Sequence, residues 1–169
     1  MENFDRTVLL GIVLDLPNSS TLSLLKESLV KYLVDSGMTS RMYVALPDAQ
    51  IPKDQGESVY CVSTYKTPVS FNVGTAFKDA VTIIGERNED CEKYVVLITD
   101  NFVAPKNQMY RKPMMMNSIR GYDSKIIVFG LSNADKVVLK SIATNNESQY
   151  FDLDDPSTIG AELTRILEK

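Results

Sequence analysis

The chain has 169 residues, 44% of them hydrophobic and 24% charged, which suits one domain with a substantial core and is short for two. A net charge of -4 offers no basic face, so neither nucleic acid nor an anionic membrane is expected as a partner. Histidine is absent, which removes serine–histidine triads, histidine-ligated zinc and any imidazole acid–base step.

The Met-Glu-Asn-Phe-Asp start lacks the basic and apolar regions of a signal peptide. No apolar run approaches the roughly 20 residues of a membrane span. Cys61 and Cys91 have no CxxC partner and read as two reduced thiols. A cytoplasmic location is the expectation.

In chain order, Thr7 to Leu14 is a near-continuous apolar run closing on Asp15. Such runs suit strands buried on both faces, as in a parallel sheet covered by helices. The turn Asp15-Leu16-Pro17-Asn18-Ser19-Ser20 leads into a helix with Leu22, Leu25, Leu29 and Leu33 near helical spacing. Ser20 or Thr21 is its expected N-cap, and Gly37 its stop. Arg41 to Pro47 reads as a second strand, 48–57 as a loop, and Ser58 to Tyr65 as a third strand. A helix over Thr75 to Ile84 places Ala76, Phe77, Ala80, Val81 and Ile84 on one face.

Tyr94 to Thr99 repeats the first pattern, an apolar strand closing on Asp100. The stretch Asn101 to Gly121 is irregular, with Pro105, Pro113 and the run Met114-Met115-Met116, and a short helix is expected near Met114 to Arg120. Lys125 to Gly130 is the fifth strand, and Asp135 to Ala143 the next helix. Tyr150 to Leu153 is a short last strand, and Pro156 or Ser157 opens a final helix through Ile159, Leu163, Ile166 and Leu167. The alternation predicts one α/β domain over 1–169. Its architecture is three-layer α/β/α, Rossmann-like and doubly wound, with about six strands, mostly parallel. The β–β step between strands two and three predicts an antiparallel edge strand.

In such sheets ligands sit outside the carboxyl ends of the strands, where strand order reverses. Asp15, Ser19, Thr75 and Asp100 are all expected there: two strand-end carboxylates and two hydroxyls at helix starts. Two carboxylates meeting repel unless a cation, a proton or hydrogen-bond donors compensate them. Carboxylate and hydroxyl oxygens suit a small hard cation such as magnesium. The competing reading of the same residues is helix capping, with Ser19 and Thr75 as N-caps and the aspartates accepting backbone N–H bonds.

These residues resemble the metal-ion-dependent adhesion site (MIDAS) of von Willebrand factor type A (vWA) domains. The family pattern is Asp-x-Ser-x-Ser after strand one, a later Thr, and an Asp, usually followed by Gly, after strand four. The counterparts are Asp15-Leu16-Pro17-Asn18-Ser19, Thr75 within Asn72-Val73-Gly74-Thr75-Ala76, and Asp100 within Leu97-Ile98-Thr99-Asp100-Asn101. The likeness continues through Ile126 to Gly130, Leu139 to Ala143 and Tyr150-Phe151, and so spans roughly 8–167. Pro17 stands where the family has a serine ligand and supplies no side-chain oxygen, and Asn101 replaces the common glycine, so the site is degenerate.

The resemblance implies a non-enzymatic protein–protein interaction module. It would hold magnesium or manganese through Asp15, Ser19, Thr75 and Asp100 and take a carboxylate from a partner protein. One alternative is a metal-free structural subunit of a larger assembly. Another is a magnesium-dependent phosphohydrolase of the haloacid dehalogenase type, which needs a general acid where Pro17 stands. Neither GxGxxG nor GxxxxGK[ST] follows any strand, so no nucleotide-binding loop is read. The methionine run reads either as helix packing or as an adaptable contact surface. Asp152, Asp154 and Asp155 read as a capping cluster before Pro156, and Lys106, Arg111 and Lys112 as a solvated loop.

Overall fold

Among the described residues, six parallel strands form one sheet in the order β3-β2-β1-β4-β5-β6. They are β1 (Val8–Asp15), β2 (Met42–Ala45), β3 (Val59–Tyr60), β4 (Glu92–Thr99), β5 (Lys125–Gly130) and β6 (Tyr150–Asp152). Among the described residues these strands are accompanied by α1 (Ser19–Asp35), α2 (Val73–Gly85), α3 (Lys136–Ile142) and α4 (Ile159–Leu167), the last entered through a 3-10 turn at Pro156–Thr158. This computed structural model describes residues 8–15, 19–35, 42–45, 59–60, 73–86, 92–100, 115, 117, 121, 124–131, 134, 136–143 and 149–167.

The apolar runs become central strands because both of their faces are covered. On one face Leu10, Ile12 and Leu14 of β1, Val96 and Ile98 of β4, and Ile127 and Phe129 of β5 pack under Leu25 and Leu29 of α1 and Leu163 and Leu167 of α4. On the other, Val13, Val95, Leu97, Ile126 and Val128 meet Phe77, Ala80, Val81 and Ile84 of α2 and Leu139 and Ile142 of α3. Alternate residues of one strand thus enter different cores, so neither face can tolerate a polar period. Each fully buried Leu, Ile or Phe here contributes about 1.5–3 kcal/mol by leaving water.

Two close approaches set the layers. A Cβ on Gly11 would lie 3.0 Å from Ile84 Cγ1, so α2 rests directly on the β1 backbone. The Ser28 hydroxyl donates to the Ser157 carbonyl at 3.0 Å, tying α1 to the turn that opens α4.

The expected antiparallel edge strand is corrected. β2 and β3 pair in parallel, Val44 with Val59 and Ala45 with Tyr60. Segment 46–58 between them is thirteen residues long, and a parallel return requires about a dozen or more. A β–β step with so long a link is geometrically free to return in parallel. Of the strand expected over 58–65, residues 58 and 61–65 lie outside those described, Cys61 among them, as does Cys91.

Candidate functional site

Strand order reverses between β1 and β4. From β1 the chain steps outward to β2 and β3, crosses back through α2 to β4, and continues the other way to β5 and β6. β1 and β4 are paired along their whole length, from Val8 with Glu92 to Asp15 with Thr99. Asp15 is therefore the last residue of β1, and Asp100 follows the last residue of β4 on the neighbouring strand. Asp100 is half-buried.

The helices bring the hydroxyl positions to the same edge. α1 opens at Ser19, four positions after Asp15. α2 leads into β4 and so runs against the strands, which puts its N-terminal turn, with Thr75 as third residue, at the carboxyl edge. That α2 rests on β1 and β4 follows from the core shared by Phe77, Ala80, Val13 and Leu97. The side chains of Asp15, Ser19 and Thr75, and residue Pro17, lie outside those described. What is observed is backbone placement, and it puts all four expected residues at one edge of the sheet. Thr75 sits inside the first turn of α2 rather than at its cap.

The rim beside this edge is tied down. Leu131 N–H donates to the Thr99 carbonyl and Leu153 N–H to the Gly130 carbonyl, each at 2.9 Å, extending the ladder one residue past β5 and β6. Leu131 and Leu153 are themselves buried in the core under α1 and α4.

The donor set expected from the sequence, two carboxylates and two hydroxyls, is chemically suited to magnesium or manganese, which prefer hard oxygen ligands. Pro17 leaves that set one hydroxyl short of the family pattern, a gap that a water can fill for a cation that ordinarily keeps several. Among the described residues, no group of three or more Asp, Glu, Cys or His gathers around a common point.

The acidic cluster before α4 divides into two roles. Asp155 caps the 3-10 turn, its Oδ1 accepting from the Ser157 N–H at 3.0 Å and from the Ser157 hydroxyl at 2.8 Å. Those two bonds to Ser157 hold the Asp155 carboxyl below its ordinary value. Asp152 instead accepts the Tyr150 hydroxyl at 3.2 Å and the Lys136 ammonium at 3.1 Å. Burial first, then the neighbouring Asp152 charge, push the Tyr150 hydroxyl well above the ordinary tyrosine range. Lys140 lies over the Tyr150 ring, 5.8 Å from its centre.

This Tyr150–Asp152–Lys136 arrangement was not read from the sequence. Its signal is Gly130, paired with Asp152 at the end of β5, since a glycine inside a strand marks a close approach. Met115, from the methionine run, is helical and 58% exposed, so it is not a packing residue. Met114, Met116, Lys106, Arg111 and Lys112 lie outside the described residues. No helix among the described residues is long and apolar enough to cross a membrane.

No family model and no curated protein matches the sequence. Solved structures do. Proximal thread matrix protein 1 from the mussel byssus superposes with a TM-score of 0.58 at 18% identity, covering 96% of this chain and 48% of that one. A form of the same protein with a zinc-occupied MIDAS motif gives 0.57 at 16% identity, covering 95% and 46%. A von Willebrand factor type A structure from Catenulispora acidiphila gives 0.52 at 10% identity, covering 95% and 42%. The chain thus spans a little under half the length of these structures. With its six-strand order and helices on both faces, the chain has the fold of a von Willebrand factor type A domain.

Proposed function

We propose that this chain is a non-enzymatic protein-binding module that engages a carboxylate of a partner protein through a divalent cation held by Asp15, Ser19, Thr75 and Asp100. The observation that carries the reading is the pairing of Asp15 with Thr99 at the point where strand order reverses. That pairing sets two aspartates on adjacent strand ends, beside the starts of α1 and α2. A bound cation would supply a positive centre shared between the chain's oxygens and an incoming Asp or Glu. The chain's own part is to fix that centre from rigid strand ends and to leave one side open to the partner. One solved neighbour is described with zinc in its MIDAS motif, so zinc joins magnesium and manganese as a cation to test.

One observation favours a second reading, a metal-free structural subunit: Pro17 offers no oxygen at a ligand position. Titrating the metal-stripped protein with each cation, by calorimetry and by melting temperature, separates the two. Ligand binding stabilises by RT ln(1 + [L]/Kd), about 2.7 kcal/mol at a hundredfold excess over Kd. The expected result is a saturable shift that Asp100→Asn and Asp15→Ala each remove and Pro17→Ser enlarges. No shift up to millimolar cation overturns the metal-bridged reading and leaves the metal-free one.

A further inference from the structure

At the amino edge of the sheet, opposite the candidate site, Asn117 and Ser124 form a buried polar pair. Asn117 is 8% exposed and Ser124 5%. The Asn117 side-chain Nδ2 donates to the Ser124 backbone carbonyl at 3.0 Å. Their two other polar atoms, Asn117 Oδ1 and Ser124 Oγ, are buried side-chain atoms without a hydrogen-bond partner, the only such atoms among the described residues.

Leaving a buried polar atom unpaired costs about 1–3 kcal/mol, and native chains seldom tolerate it. Two such atoms on residues already joined by a hydrogen bond call for a common partner. The chemistry is complementary: an amide oxygen only accepts, whereas a hydroxyl both donates and accepts. A molecule that donates to Asn117 Oδ1 and exchanges a bond with Ser124 Oγ satisfies both. One water making two bonds of about 2.8 Å bridges atoms up to roughly 5 Å apart, a span that suits two residues already joined through Asn117 Nδ2 and the Ser124 carbonyl.

We propose that Asn117 and Ser124 hold one buried water, and that the direct bond and this water together clamp Asn117 to the residue just before β5. The clamp sits at the far end of the connection that leaves the candidate site at Asp100. It holds Asn117 in the interior, while Met115, two residues earlier, is exposed.

Two measurements test this on the whole chain. Water-oxygen magnetic relaxation dispersion counts internal waters with long residence times, and Ser124→Ala removes one of the proposed partners. The expected result is one long-lived water fewer in Ser124→Ala, together with an unfolding equilibrium constant raised roughly five- to tenfold, the effect of losing a buried hydrogen bond. If Ser124 Oγ has no partner in solution, deleting it relieves a desolvated hydroxyl. Ser124→Ala is then as stable as the parent or more so, the water count is unchanged, and the proposal is overturned. Should the variant fail to fold, a parent protein with no long-lived internal water overturns it equally.

Discussion

Gly130→Ala is the sharpest test of the packing between β5 and β6. No left-handed backbone angle is involved at this position, so the glycine is required for room. A Cβ there would lie 2.2 Å from the Tyr150 hydroxyl, 3.0 Å from Cζ and 3.2 Å from Cε1. The ring cannot yield cheaply, because it is buried with Val128, Leu139 and Ile142 and its hydroxyl is held by Asp152. Overpacking of this kind costs about 1–3 kcal/mol, and loss of the bond to Asp152 adds about 1 kcal/mol. Urea unfolding should show Gly130→Ala destabilised by about 2–4 kcal/mol with an unchanged m-value. In a Tyr150→Phe background the nearest atom is gone and the cost should fall by about 1 kcal/mol or more, a coupling well above the additivity error of about 0.3–0.5 kcal/mol. Equal costs in the two backgrounds, or a neutral Gly130→Ala, would refute the argument that the tyrosine hydroxyl fills the space of the missing Cβ.

The raised affinity of Tyr150 for its proton has a pH signature. Above the ordinary tyrosine pKa of about 10 the unfolded chain releases this proton and the folded chain keeps it, so stability falls as pH rises through that window. Urea midpoints from pH 9 to pH 11.5 should show this fall, and Tyr150→Phe should flatten it; identical slopes would contradict the burial and the Asp152 contact as its causes. Phe129 is fully buried and tilts against Phe151 at 5.6 Å between ring centres, so Phe129→Ala should cost about 3–5 kcal/mol. Val137, 81% exposed on α3, is the matching control, and Val137→Asp should change stability by no more than about 0.5 kcal/mol.

The elements that can be read from the chain are those whose residues answer to two neighbours at once. β5 occupies the residues expected of it, and β1 and β4 agree at their carboxyl ends, because a strand covered on both faces must be apolar throughout. The direction of β3 is different in kind. Val59 and Tyr60 would suit either direction, and a link of thirteen residues permits a parallel return. Helix starts are similarly underdetermined: Thr75 has the chemistry of an N-cap, yet α2 begins two residues before it, at Val73. Among the acidic residues before α4, Asp155 behaves as its position next to Pro156 implies. Asp152 does not: Tyr150 reaches it from two residues back on β6, and Lys136 comes from the start of α3, the helix after β5. The gathering of Asp15, Ser19, Thr75 and Asp100 at one edge follows from strand ends and helix starts, which periodicity reveals. What binds there depends on side-chain oxygens one residue either way, as Pro17 illustrates.

Magnitudes decide what two aspartates at a reversal point require. Carboxylates about 4 Å apart repel by about 4 kcal/mol at an effective dielectric of 20. The N-terminus of a helix returns about 0.3–1 kcal/mol to a nearby anion, so α1 and α2 together offset at most about half of that repulsion. Hydrogen bonds from Ser19 and Thr75 add about 1 kcal/mol each, enough to bring the balance near zero and no further. A divalent cation reverses the sign outright. Convergence of Asp15 and Asp100 and occupancy by metal are therefore one question rather than two. If the carboxylates converge, their repulsion is offset but still present in the metal-free protein, and Asp100→Asn should relieve it while abolishing the metal-dependent gain. If they stand apart, there is no repulsion for Asp100→Asn to relieve and no gain to abolish. The stability of that single variant without metal thus reports the geometry, and its stability with metal reports the function.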